Sequence, residues 1–301
     1  MSEMLSLACE TTIDSLPDEV LCMIFDHLSV GSVKTASLAC RRWHDIIFLS
    51  SYSKRFILVI DINISYWKEQ KGDLLYGSLW WELWKTMKRS QRCYRNIRWY
   101  MKEYINKDFT SYWKLFHPQC TENLSSLELH WPWVLYSDIQ RLTPVLAASI
   151  TQMTNLRFLS LTHGSSNDPL MHNFIPSSMT SNHETVLRSY SVQHLKISDG
   201  FIVTLDMPAI RSFEGPLCVL AQPRGSVQPA GYAHLKNVAL TDGSELTAEN
   251  KSFFQRFGNL VKIECFSDID LDWLFSAICD TCSGLKELHF EYDISFDDPA
   301  T

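Results

Sequence analysis

Residues 16–47 read LPDEVLCMIFDHLSVGSVKTASLACRRWHDII. Val20, Leu21, Ile24, Phe25 and Leu28 recur at helical spacing, which predicts one apolar stripe on a helix of about eleven residues after Pro17. Ser15 and Asp18 supply an S-x-x-D start signal, and Pro17 suits a first turn that has no use for its missing N–H. Gly31 reads as a break. Val33, Ala36, Leu38, Ala39 and Cys40 then give a second short helical pattern, and Arg41, Arg42 and Trp43 open a third. Three helices in roughly 35 residues fall below the length at which a chain usually buries enough surface to stand alone. Their apolar face is therefore expected to rest on something else.

The run Leu16-Pro17-Asp18-Glu19-Val20-Leu21, then Ile24-Phe25, Leu28 and Ser37-Leu38-Ala39-Cys40-Arg41-Arg42-Trp43, resembles the F-box. That module is the one by which substrate receptors dock on the Skp adaptor of cullin-based (SCF) ubiquitin ligases. The resemblance implies an adaptor-docking set of Leu16, Pro17, Val20, Leu21, Ile24, Phe25, Leu28, Leu38 and Trp43. Where the family often carries an acidic residue and a leucine after the first helix, this chain has Val30-Gly31-Ser32-Val33. An ordinary helical hairpin packed on its own domain is the alternative.

Composition sets the outer bounds. With 46% apolar and 12% aromatic residues in 301, the chain has ample material for a core. A net charge of −7 does not suggest general binding to nucleic acid or a membrane surface. No apolar run is long enough to span a bilayer and no signal-peptide pattern opens the chain, so a cytoplasmic and/or nuclear location is expected. The cysteines at 9, 22, 40, 93, 120, 218, 265, 279 and 282 show no framework spacing, as in reduced intracellular thiols. Cys279-Asp280-Thr281-Cys282 alone has a redox or zinc spacing, with no second pair facing it.

Taken in order, residues 1–13 read as a flexible arm, 14–50 as the helical module and 51–301 as a second architecture. Phe56-Ile57-Leu58-Val59-Ile60-Asp61-Ile62 is the first β-type run beyond the module. From Lys85 to Lys114 nine basic residues stand against two acidic ones, interleaved with Trp99, Tyr100 and Trp113 among other aromatics. Single-stranded nucleic acid is one partner such a segment 80–114 can stack. Trp80, Trp84 and Met87 at i, i+4 and i+7 suggest instead a helix face that is buried, with the basic residues forming a solvated face or a patch for an acidic partner.

A pattern L-x-x-L-x-L, with apolar replacements and one glycine, then recurs as Leu124-Leu127-Leu129, Leu156-Leu159-Leu161, Val192-Leu195-Ile197, Ile210-Phe213-Gly215, Leu235-Val238-Leu240, Leu260-Ile263-Cys265 and Leu285-Leu288-Phe290. Successive starts lie 32, 36, 18, 25, 25 and 25 residues apart. Such a period predicts short strands joined by return segments in a parallel stack, each unit needing its neighbours. Trp273-Leu274-Phe275 with Ile278, and Phe253-Phe254 with Phe257, fit return helices. The pattern resembles leucine-rich repeats, most regular over 235–290, and Cys282 is similar to the buried thiol of their cysteine-containing variant. The expected fold is α/β: a three-helix F-box followed by an irregular leucine-rich-repeat solenoid with a parallel sheet.

Residues 162–191 and 221–232 read as insertions able to carry partner contacts. Residues 264–301 hold ten acidic residues and one basic residue, a balance of −9 that would steer a basic partner. Beyond Phe290, Asp297, Asp298 and Pro299 either close the edge of the stack or belong to a short version of a longer protein.

No G-x-S-x-G, Walker loop, G-x-G-x-x-G or H-E-x-x-H is present, no histidine cluster has ligand spacing, and no cysteine has a recognisable activating context. The expectation is a non-enzymatic substrate-recognition subunit without cofactor or metal, docking on the Skp adaptor and, through it, on cullin while its repeats bind a target protein. A protein-binding scaffold outside any ligase is the alternative.

Overall fold

The computed structural model describes residues 12–62, 76–90, 94–101, 109–118, 120–131, 136–164, 185–198, 200–201, 203–220, 232–241, 254, 257–266, 271–279 and 281–291. They divide into two units: a helical unit that runs to Phe56 and also takes in Ser90, and a sheet unit that takes in Ile57–Arg89 and the described residues from Tyr94 onward.

The helical unit consists of a 3-10 turn (Ile13–Ser15), α1 (Asp18–Asp26), α2 (Val30–Ala36), α3 (Arg41–Phe48) and a second 3-10 turn (Ser51–Arg55). The expected S-x-x-D cap does not form, because Ser15 Oγ donates instead to Thr12 O at 2.7 Å within the preceding turn. Pro17 starts α1 by its backbone: its carbonyl accepts from the amides of Val20 and Leu21, both at 3.1 Å. Asp18 and Glu19 in the first turn suit the positive end of the helix dipole. Gly31 is not a break either. Ser29 caps α2 through Ser32 N at 3.1 Å, which puts Gly31 inside the first turn. The second helix is also shorter than its pattern suggested, leaving Leu38 and Ala39 in the turn before α3.

Leu21 and Phe25 from α1, Val33 from α2, Ile46, Ile47 and Phe48 from α3, and Tyr52 form the buried core of this unit. Phe25 meets Trp43 and Tyr52 edge-on, with ring centroids 5.4 and 5.9 Å apart. The unit thus closes the inner half of its apolar stripe with its own residues, helped by the 3-10 turn beyond residue 50. Arg42 ties the end of the module to its beginning, donating to Leu16 O at 2.5 Å, to Asp18 Oδ1 at 2.6 Å and to the carbonyl of Asp14.

The sheet unit runs β1 (Ile57–Ile62), α4 (Tyr76–Arg89), β2 (Asn96–Met101), α5 (Phe109–Phe116), β3 (Ser126–Trp131), α6 (Tyr136–Gln152), β4 (Phe158–His163), β5 (Thr185–Arg188), β6 (His194–Ile197), β7 (Val203–Asp206), β8 (Ser212–Gly215), α7 (Leu217–Leu220), β9 (Asn237–Leu240), β10 (Lys262–Cys265), α8 (Leu271–Ile278) and β11 (Glu287–Phe290). Among the described residues, nine strands form one sheet in the order β1-β2-β3-β4-β6-β8-β9-β10-β11, with every pairing parallel. The α/β class expected from the sequence is what the structure has.

Each of the seven L-x-x-L-x-L segments lies on a strand of this sheet. Their second positions, Leu127, Leu159, Leu195, Phe213, Val238, Ile263 and Leu288, face one another in unbroken register. A backbone ladder repeats with them. Ser125, Arg157, Gln193, Arg211, Lys236, Val261 and Lys286 each donate, at 2.7 to 2.9 Å, to the carbonyl at the same position one strand earlier. That ladder begins at Arg95 O and exposes an eighth member of the series, Tyr94-Ile97-Trp99, in which aromatic residues stand where the pattern asked for leucine.

The 18-residue step has a structural reason. Over 185–215 the return segments are strands rather than helices, and β5 and β7 pair as a second, two-stranded parallel sheet. Thr185–Arg188 therefore belongs to the framework, not to an insertion. Residues 165–184, 221–231, residues 1–11 of the arm expected over 1–13 and the acidic stretch 292–301 lie outside the described residues, while Thr12 and Ile13 begin the first 3-10 turn. Of the predicted return helices, α8 is present, while around Phe254 and Phe257, both buried, only part of the segment is described.

Candidate functional site

Two surfaces result, one on each unit. On the helical unit the nine predicted contact residues divide by environment. Leu21 and Phe25 face inward, with 0% and 1% of their surface exposed, and hold α1 against α3. Leu16, Ile24 and Trp43 are half-covered, packed against that core. Pro17, Val20, Leu28 and Leu38 are exposed. Leu38, at 83% exposure, presents almost its whole side chain from the α2–α3 turn.

Met23 (64%) and Val30 (59%) add exposed apolar surface that the sequence pattern did not single out. Helical spacing could have found Met23, which lies three residues after Val20 on the face opposite Leu21. Single exposed apolar side chains need no explanation; on this unit Val20, Met23, Leu28, Val30 and Leu38 together leave several large apolar side chains in solvent.

On the sheet unit, burial alternates along β2 and β3, so Arg98, Tyr100, Glu128 and His130 share the outer face. Register places Arg98, Glu128, Ser160, Lys196 and Glu214 in one row across five strands. The charges in it pair between neighbours. Arg98 Nε and Nη2 hold Glu128 Oε2 and Oε1 at 2.6 and 3.0 Å, and Lys196 pairs with Glu214. The bidentate bond to Glu128 is the main reason the Arg98 guanidinium is held above its ordinary value. Below that row His130 Nδ1 lies 3.0 Å from Thr162 Oγ1, with the Tyr100 ring edge-on at 5.5 Å.

Burial, and after it the charges of His163 and Lys196, hold His130 below the ordinary histidine value of 6.5. An unfolded chain therefore takes up this proton first as the pH falls. The stability linked to a neutral His130 is complete above its unfolded value and is lost as the pH drops through the lower folded value. Urea midpoints measured from about pH 7 to about pH 5 should fall for the wild type and fall less for His130→Asn; parallel curves would contradict the assignment.

The basic aromatic segment is largely framework. Trp99 and Trp113 are core residues, and Trp113 Nε1 donates to Ser149 Oγ at 2.8 Å. On α4, Met87 is buried and Trp84 half-buried, whereas Trp81 is exposed and stacks on Trp84 at 4.6 Å. The side chain of Trp80 is outside the described residues. Cys279 and Cys282 sit in different surroundings: Cys279 is exposed, while Cys282 is buried and its thiol is pushed up by that burial. Among the described residues, no helix is long and apolar enough to cross a membrane.

The comparison with known families bears on the first surface. The F-box-like family model matches residues 13–57, the span of the helical unit from its first turn to the start of β1. These residues form an F-box-like domain, which supports a role for the chain as an SCF adaptor-binding protein. No curated protein matches the chain.

Proposed function

We propose that this protein is a substrate receptor of an SCF-type ubiquitin ligase. In this reading the F-box-like domain docks on the Skp adaptor, and through it on cullin, while the sheet unit acts as an irregular leucine-rich-repeat array that holds a target protein. The observation that carries it is the F-box-like match over a small unit whose exposed Val20, Met23, Leu28, Val30 and Leu38 surround a closed core. Pro17, Leu16, Ile24 and Trp43 would frame that contact, and Leu21 and Phe25 would shape it from within. The in-register strands and their repeating amide ladder support the array reading.

The chain itself would do no chemistry. Its contribution would be proximity: a target lysine held beside an activated thioester reacts as if at high local concentration, without any new reactive group. Such a subunit would work in the cytoplasm, the nucleus or both. Leu28→Asp combined with Leu38→Asp changes two exposed side chains and should leave the melting temperature within a few degrees of wild type. The same variant should reduce co-purification of the Skp adaptor and cullin by about ten-fold or more. Undiminished capture by a folded double variant would remove the docking assignment, and capture of the adaptor without cullin would favour a scaffold outside the ligase.

A further inference from the structure

β11 ends the strand order of the large sheet, and among the described residues no strand lies beyond it. Burial records the difference. Leu260 and Ile263 are completely covered, whereas Leu285 and Leu288, in the equivalent places one strand later, are only partly covered. Phe266, after β10, and Phe275, on α8, add exposed rings at this end of the unit.

The backbone of β11 has a direction. Glu287 and Glu291 donate back to Val261 O at 3.1 Å and Cys265 O at 2.9 Å. Alternation along a strand turns the N–H and C=O of Leu288 the other way, toward the outer edge. Acidic side chains predominate there without being unpaired. Glu287 and Glu291 are exposed on and just after β11; Glu287 has Lys262 Nζ at 3.9 Å and His289 Nε2 at 3.7 Å, while Lys262 is held closer by Glu264 at 2.7 Å. In the sequence, residues 264–301 hold ten acidic residues against the single basic Lys286.

We propose that this edge receives an extended segment of another protein as a tenth strand, with Lys or Arg alternating with apolar residues. Backbone hydrogen bonds would fix the segment, its apolar side chains would cover Leu285, Leu288 and Phe275, and its cations would face Glu287 and Glu291. A second copy of this chain would bring acidic residues against acidic residues. The chain's own residues 292–301 contain Asp293, Asp297 and Asp298 and no Lys or Arg, so they carry the same unfavourable sign. The proposal is independent of what the helical unit binds.

Fluorescence anisotropy of the full chain with labelled peptides of about eight residues tests it. An alternating lysine–valine peptide should bind at least about ten-fold tighter than an alternating glutamate–valine peptide or a lysine–valine peptide of scrambled order. N-methylation of every second peptide amide should abolish binding, and Glu287→Lys with Glu291→Lys, both exposed positions, should reverse the charge preference. Absence of binding, equal binding of the scrambled peptide or indifference to N-methylation would overturn the proposal. So would hydrogen-exchange protection of the Leu288 amide together with residues 292–301 in the chain alone, which assigns the edge to the chain's own end. Self-association in sedimentation that is lost in Leu288→Pro would assign the edge to a second copy, with the same consequence.

Discussion

Gly215→Ala is expected to destabilise the sheet unit by about 3 kcal/mol or more, a large effect for a single methyl group. A Cβ at this position would stand 2.5 Å from Ile197 O, 2.8 Å from Ile197 Cγ2 and 3.0 Å from Phe213 Cζ. The first of these is backbone of the adjoining strand β6 and cannot swing away as a side-chain tip can. The φ of +157° is a further obstacle to a residue with a side chain. Gly215 holds the place that Leu240, Cys265 and Phe290 fill in the next three strands, and its lack of a side chain lets β8 approach β6 beside the Phe213 ring. Gly31→Ala is the control, since a Cβ there meets only Ser29 Oγ at 3.9 Å, and its stability should shift by no more than about 0.5 kcal/mol. Urea denaturation of both variants checks this, and similar midpoints for the two would contradict the steric argument.

Leu21→Asp is expected to unfold the helical unit and leave the sheet unit folded. Leu21 is completely buried in a core of seven residues, among Phe25, Ile47 and their neighbours, all apolar or aromatic. Burying an unpaired charge costs several kcal/mol, comparable to all the stability a unit of this size has. The sheet unit keeps a separate core, so its strands should persist. Hydrogen exchange resolved by peptide should show protection lost across residues 16–56 and retained in β3, β4 and β6. Loss in both regions would mean that the two units fold as one. Under the proposed docking, this variant would lose adaptor capture by unfolding, and Leu28→Asp with Leu38→Asp would weaken it by altering exposed side chains, which is why the exposed pair is the better probe of the contact itself.

The helical unit was legible because its signals are local. Leu16-Pro17, the stripe from Val20 to Leu28 and the Cys40-Arg41-Arg42-Trp43 start of α3 each depend on neighbours a few residues away, and all fall within the F-box-like match. Which residues of the stripe are available to a partner was not legible. Leu21 and Leu28 are alike in the sequence, and only the position of α3 and Tyr52 makes one interior and the other surface. The S-x-x-D signal failed for the same reason: Ser15 found a closer acceptor in Thr12, and Arg42, far along the chain, supplied the contacts that fix the start of α1.

In the sheet unit, the seven leucine-rich segments announced their strands because a strand inside a parallel stack must place apolar residues at fixed offsets. β2 was hidden, since Tyr94, Ile97 and Trp99 satisfy the same offsets with side chains that a leucine pattern passes over and that the surrounding Lys and Arg disguise. β5 and β7 were hidden because four-residue strands carry too little periodicity to be seen alone. Spacing and apolarity along the chain therefore dictated the number and direction of most strands and the presence of the helical module. Exposure, the pairing of β5 with β7, the balanced charges across the outer face and the place of β11 at the end of the described sheet came only with tertiary packing, because each depends on residues that meet across strands rather than along one.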